Sequence, residues 1–292
     1  MALHLTSPLH KQTILSGRNR HYFHDMPTAD LSIKTMSNGL ALYDIEEGQF
    51  AVEEDTYLIL NQQQPYQITI ESSSIVTSFC IFFPQGWAEQ VWRGLSEKTP
   101  TLLESPFEGQ ASSVHFFERV RPRNEVFGSV MALRDDLQRC EVDTGELEER
   151  LRHLLACMIY TEYDVQGEAE KLSSLRANTR FELYRRLYRA RDYIHANLHS
   201  ALDLPDMAIV THLSPYHFLR MFKQAFGQTP YAYLTIKRIE RTRFLLERTL
   251  LPVTNICFEV GFESLGSFSS KFRQIVGLSP RQYRQQYGRR AV

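Results

Sequence analysis

Two hydrophobic periods divide the chain. Residues 39–46 (GLALYDIE), 57–61 (YLILN), 66–70 (YQITI, followed by Glu71) and 74–83 (SIVTSFCIFF) are short runs rich in β-branched and aromatic side chains. Gly48, the stretch from Asn61 to Pro65 and the Ser72-Ser73-Ser74 run separate them as turns. Short strands at such close intervals predict a small barrel or sandwich. From Glu146 to Tyr163 the period lengthens: Leu147, Leu151, Leu154, Leu155, Met158 and Ile159 recur on one face of a long amphipathic helix.

Further along, the helical pattern repeats itself. Residues 222–233 read FKQAFGQTPYAY and residues 272–283 read FRQIVGLSPRQY, both fitting F-K/R-Q-x-x-G-x-S/T-P-x-x-Y at an offset of 50. The match extends back to Phe218 with Phe268 and Ser214 with Ser264. Each Ser opens a helix as its N-cap, and Pro215 takes the first helical position in the first copy. Phe218, Met221, Phe222 and Ala225 form a buried stripe, which turns Tyr216, Arg220, Lys223 and Gln224 outward. In the second copy Phe268, Phe272 and Ile275 form the stripe, leaving Gly266, Ser267, Ser270, Arg273 and Gln274 outward. Gly227 and Gly277 read as C-terminal caps, and Thr229-Pro230 and Ser279-Pro280 start the next helices.

A shorter helix precedes each of these, LPDMAIVTHL before Ser214 and PVTNICFEVGF before Ser264, with turns through His212-Leu213 and Gly261-Phe262-Glu263. Helix, tight turn and amphipathic helix with a basic outward face is the helix-turn-helix pattern, whose second helix enters the major groove of DNA. Either copy alone also fits an ordinary helical hairpin; two copies favour the DNA-binding reading. Between them Tyr231 to Thr249, with Leu234, Ile239, Leu245 and Leu246 among Lys237, Arg238, Arg241 and Arg243, predicts a connecting helix. At ~1.5 Å per residue it spans ~28 Å, comparable with the ~34 Å of one DNA turn.

Charge sharpens the division. The 292 residues carry 33 Lys and Arg against 34 Asp and Glu, net −1, which by itself argues against a nucleic-acid partner. Residues 1–180, however, hold 16 basic and 26 acidic side chains, net −10, and residues 181–292 hold 17 and 8, net +9. The basic segment has the footprint of a phosphate-neutralising domain, although a merely solvated basic surface fits charge alone equally well. The polar stretch QGEAEKLSSLRANTR at 166–180 reads as a linker or exposed helical connection. Expected domains are therefore 1–165, a linker at 166–180, and 181–292.

Several function classes drop out. At 43% hydrophobic residues the chain can fill ordinary cores, and no run approaches the ~18 to 20 apolar residues of a membrane span. The start, MALHLTSPLHK, lacks a secretory signal, so a cytoplasmic protein is expected. Cys80, Cys140, Cys157 and Cys257 are widely spaced, which predicts no disulfide, no redox centre and no zinc knuckle. The strand runs contain no His; His21 and His24 read as an exposed loop pair, and His115 is isolated. With no Ser-His-Asp or Cys-His constellation either, the expectation is no metal, no cofactor and no enzyme. Tyr43, Phe50, Tyr57, Tyr66, Phe79, Phe82 and Phe83 are expected in the core, with an apolar ligand pocket as the alternative.

The stretches SPYHFLRMFKQAFGQTPYAYLTIKRIERTRFLL and ICFEVGFESLGSFSSKFRQIVGLSPRQYR carry a resemblance: residues 185–287 resemble the DNA-binding domain of the AraC/XylS family of bacterial transcription regulators. The resemblance implies two helix-turn-helix units on a seven-helix domain, bound to adjacent major grooves of double-stranded DNA. Carried over by position, Tyr216, Leu219 and Arg220 reach base edges, with His217 and Lys223 near the backbone. A bidentate Arg220 contact to a guanine edge is worth ~1–3 kcal/mol of discrimination, the alternative being a phosphate contact or a free surface Arg.

The second unit departs from the family. Ser270 stands where an Arg is usual, Ser267 where Tyr or His is, Gly266 where Ser is, and Cys257 where a small Ala is common. Such short side chains reach little way into a groove, so the first helix is expected to dominate base readout while Lys271 and Arg273 contact phosphates. Cys257 is expected to be a small core residue.

By weaker resemblance the N-terminal half is a cupin-like sensor domain. The implied fold is α+β in two domains: a cupin-like barrel or sandwich with helices, then an all-α domain of two helix-turn-helix units joined by a linker helix. The implied function is a DNA-binding transcription regulator answering a signal sensed by the N-terminal domain. The family also implies recruitment of RNA polymerase and a dimer contact through the 146–163 helix, which alternatively packs on its own barrel. Two alternatives remain: the N-terminal domain binds a protein instead of a small-molecule effector, or it is a metal-cupin enzyme fused to a DNA-binding domain. Effector, operator and the choice between activation and repression stay open.

Overall fold

The computed structural model describes residues 3–7, 10–96, 114–139, 142–170 and 177–288. The chain forms two compact units, Met1–Glu170 and Lys171–Val292. Of the expected connection, 166–170 continue a helix and 177–180 open the next, while 171–176 lie outside the described residues.

The first unit contains strands β1 (Leu3–Ser7), β2 (His10–Met26), β3 (Ser32–Ser37), β4 (Ala41–Ile45), β5 (Gly48–Val52), β6 (Thr56–Leu60), β7 (Tyr66–Phe82) and β8 (Val120–Pro122). They make one antiparallel sheet in the order β1-β2-β7-β3-β6-β8, with β4 paired to β7 and β5 to β4. The sheet curls into a nearly closed, barrel-like shape because β7 serves two neighbours: Ile68 and Thr69 pair with β4, and Thr77 to Phe82 pair with β3.

The Ser72-Ser73-Ser74 run is therefore not a turn but the corner of one long strand. The register against β2 shifts there, between Asn19 and His21. A bulge of this kind bends a strand without ending it. Ser74 Oγ donates to the Asn38 carbonyl at 3.2 Å, and a Cβ on Gly39 would meet Val76 Cγ2 at 2.5 Å, so the chain crosses closely at the corner. The H-x-x-H pair also differs from expectation. His21 and His24 lie on β2, three residues apart and so on opposite faces, where they cannot share an ion; His21 Nδ1 instead meets Glu71 Oε2 at 2.7 Å.

Alternation sorts the aromatic residues into two cores. Tyr57, Phe79 and Phe83, with Ile33, Ile59 and Ile81, face helices α1 (Trp87–Ser96), α2 (Glu125–Gln138) and α3 (Thr144–Glu170). Tyr43, Phe50 and Tyr66 join Met36, Leu58, Leu60, Ile68 and Ile70 inside the barrel. The α3 stripe of Leu151, Leu154, Leu155, Met158 and Ile159 packs on its own barrel. A polar seam fixes α3 there: Glu162 accepts from Arg121 Nη2 at 2.5 Å and from the Phe117 backbone N–H at 3.0 Å. Beside it, Asn61 exchanges two hydrogen bonds with the Phe116 backbone. His115 is not isolated, since its Nε2 lies 2.7 Å from the buried carboxylate of Glu118.

The second unit is all helical, with seven helices among the described residues: α4 (Ala177–Ala196), α5 (Leu204–Ile209), α6 (Pro215–Phe226), α7 (Pro230–Arg248), α8 (Val253–Glu259), α9 (Leu265–Val276) and α10 (Pro280–Tyr287).

Candidate nucleic-acid interface

The sequence repeat is a repeat of physical devices. Ser214 and Ser264 cap α6 and α9 by accepting from the backbone N–H of His217 and Ser267. Each helix ends on a glycine in the left-handed conformation, Gly227 at φ 71 and Gly277 at φ 86, and Thr229 and Ser279 cap the helices that follow. The buried rings repeat as well. Phe222 lies 5.4 Å from Phe218 and 5.9 Å from Tyr233; Phe272 lies 6.2 Å from Phe268 and 5.5 Å from Tyr283. These cores orient α6 and α9, so the residues opposite them face outward.

Inside the turns the register slips by one. His212, at φ 52, occupies the left-handed position that Gly261 fills at φ 88, an offset of 49 rather than 50. Ala208 correspondingly matches Cys257, and both are buried, as expected for the small core residue. Glu263 is thus an extra residue in the second turn. A left-handed His costs more than a Gly, and with His212 at this position the first turn carries no glycine signal in the sequence.

On α6 the outward residues align at i, i+4 and i+7: Tyr216, Arg220 and Lys223 are all exposed, Tyr216 at 77%. Leu219 and His217 flank them, half-buried. Arg220 has no ion pair among the described residues, so its guanidinium is available to an outside acceptor. On α9 the outward set is Gly266, Ser267, Ser270, Lys271 and Arg273, all exposed, with Lys271 Nζ donating to Gln274 Oε1 at 3.2 Å. A Cβ on Gly266 would meet nothing within 4 Å, so the fold does not require a glycine there. The ten sequence-identified residues therefore divide into two outward faces, a long-armed one on α6 and a short one with flanking cations on α9.

Two residues escaped the sequence reading. Arg238 on α7 donates to the carbonyls of Leu198 and Ser200 at 2.8 and 2.7 Å; in the sequence it is one of several cations on a basic helix. Lys34 on β3 is 1% exposed inside the barrel, its Nζ 3.8 Å from the Phe82 ring centroid and 3.5 Å from the Tyr66 hydroxyl. Its signal was a single Lys within the otherwise uncharged strand SIKTMS. Burial lowers its pKa to about 8, and no carboxylate among the described residues lies within ion-pair distance.

Among the described residues no helix is long and apolar enough to cross a membrane. A family model described as a helix-turn-helix domain matches residues 207–286. The HTH-type transcriptional regulator YdeC of Bacillus subtilis is 21% identical over 280 residues, covering 94% of this chain and 90% of that one. The chain covers 54% and 37% of the length of the next two curated relatives. Among solved structures, the C-terminal domain of AraT, a response regulator from Geobacillus stearothermophilus, is 34% identical, covering 36% of this chain and 87% of that domain, at a TM-score of 0.35. A transcriptional regulator from Chromobacterium violaceum, described by its AraC-type DNA-binding domain, is 29% identical over 40% of this chain and 100% of its own, at a TM-score of 0.34. The matched residues 207–286 take in both of the capped helices, α6 and α9, whose polar faces point outward. The second unit is an AraC-type helix-turn-helix domain, in a chain similar over nearly its whole length to an HTH-type transcriptional regulator.

Proposed function

We propose that the two units share DNA recognition unequally. In this reading α6 reads base edges through Tyr216, Leu219 and Arg220, with His217 and Lys223 on the backbone. On α9, Lys271 and Arg273 hold phosphates, and Gly266, Ser267 and Ser270 form a small surface that follows groove shape. The observation that carries the reading is the contrast between the faces: an exposed, unpaired Arg220 beside Tyr216 on one, and side chains no longer than Ser at the equivalent places on the other. The test uses a duplex selected by the full chain and point-mutated versions of it. Arg220→Ala is expected to lose ~1–3 kcal/mol of discrimination at one base pair, and Ser270→Ala almost none. An equal loss of specificity for both variants overturns the unequal division.

The N-terminal domain, on the same proposal, receives the signal as a small-molecule effector. Lys34 supports this, because a buried ammonium held by the Phe82 and Tyr66 rings and the Tyr66 hydroxyl, with no carboxylate partner among the described residues, is a costly occupant of an interior with no ligand to receive. Whatever engages the domain can shift DNA binding by no more than its differential affinity for the two states. Homodimerisation, recruitment of RNA polymerase, a cytoplasmic setting and the absence of catalysis complete the reading. A thermal-shift screen across metabolites is expected to raise the melting temperature of the first unit. No response, together with a co-purifying protein, replaces the small molecule with a protein partner.

A further inference from the structure

Arg238 stands on α7 between the two helix-turn-helix units and touches parts of both. Its Nε and Nη2 donate to the carbonyls of Leu198 and Ser200, at 2.8 and 2.7 Å, in the segment that feeds α5 of the first unit. Its guanidinium carbon lies 5.7 Å from the centroid of the Phe262 ring, in the turn of the second unit. The carboxylate of Glu263, the extra residue of that turn, adds attraction. Gly261 closes the contact: a Cβ there would sit 2.3 Å from the Leu198 carbonyl oxygen and 2.7 Å from Arg238 Nη2. The second turn thus lies against the segment feeding the first unit, with room for nothing larger than a hydrogen, and the Arg238 guanidinium fills the junction.

We propose that Arg238 is a positioning residue for DNA recognition. By clamping the 198–200 segment and the 261–263 turn to α7, it fixes the separation and phase of α6 and α9. It thereby fixes the base-pair spacing required between the two segments the protein contacts. The planar fork of a guanidinium can bond two carbonyls while its face packs on a ring, which an ammonium cannot. Each base pair adds ~3.4 Å and about a tenth of a turn, so a rigid pair of reading helices penalises a one-pair shift and a loosened pair does not. The inference rests on the reading that α6 and α9 engage one duplex.

The test takes a duplex selected by the wild-type full chain from a randomised pool, derivatives with one base pair added or removed between the two footprinted segments, and duplexes carrying each segment alone. Arg238→Lys keeps the charge, and hence the general attraction to phosphate. Wild type is expected to lose about ten-fold or more in affinity on the shifted duplexes, and Arg238→Lys less than about three-fold, with equal binding to the single segments. Gly261→Ala, which wedges the same junction, is expected to broaden the spacing preference likewise. A wild-type spacing penalty in Arg238→Lys overturns the proposal. So does an equal loss on single and double segments, which marks a general lesion of the fold. A wild-type footprint of one segment alone overturns the shared-duplex reading itself, which a retained spacing penalty leaves standing.

Discussion

A lysine ammonium buried without a carboxylate leaves a trace in the pH dependence of stability. The Lys34 pKa is lowered from 10.5 to about 8 by burial, so between those values the unfolded chain holds a proton that the folded one has released. Stability due to this group therefore rises with pH across that window, at up to ~1.4 kcal/mol per pH unit, and its destabilising effect is fully present below about pH 8. Comparing wild type with Lys34→Met isolates it. The variant is expected to be more stable at pH 7, with the difference shrinking toward pH 10.5; a pH-independent difference contradicts the buried charge. Gly266→Ala makes a second residue-scale test. With open space for the Cβ, it is expected to leave or raise thermal stability by up to ~1 kcal/mol, so any loss of DNA affinity reports on the interface. The outward polar residues of α6 and α9 were legible in the sequence because burial on a 3.6-residue period dictates which side chains must face away, but Ile275, expected in the buried stripe of α9, is 46% exposed. Lys34, Arg238 and the left-handed His212 were not, since each is defined by neighbours distant in sequence or by a backbone angle.

At the scale of elements, caps, stripes and C-terminal glycines made the second unit readable almost helix by helix. They are local devices, written within a few residues of where they act. The sheet was readable only where strands alternate into a core. β2, reading HKQTILSGRNRHYFHDM, exposes its charged and ring side chains from Arg18 to Asp25, and β7 passes a serine run that looks like a turn but acts as a corner. Pairing with a strand some fifty residues away decides both cases, and no short window contains that partner. The repeated aromatic cores give an element-scale prediction. Phe222 and Phe272 are each fully buried at equivalent places, so either Phe→Ala change is expected to destabilise the second unit by ~3–5 kcal/mol and leave the melting of the first unit in place. Denaturant unfolding with a probe in each unit checks this, and a shift of the first unit's transition contradicts it.

For the whole molecule, a net charge of −1 conceals an acidic half at −10 and a basic half at +9. The basic half can release counterions on binding, so affinity for DNA is expected to fall about a thousand-fold or more between roughly 50 and 200 mM salt. The acidic half opposes non-specific adhesion of the chain to DNA at large. A hydroxyl-radical footprint of the full chain on fragments it selects from genomic DNA decides whether two helix-turn-helix units read one duplex. Two protected segments on one face of the duplex, centred about 10 base pairs apart, are expected. Failure to enrich any fragment over random DNA, or protection of a single short segment, would contradict the two-unit reading.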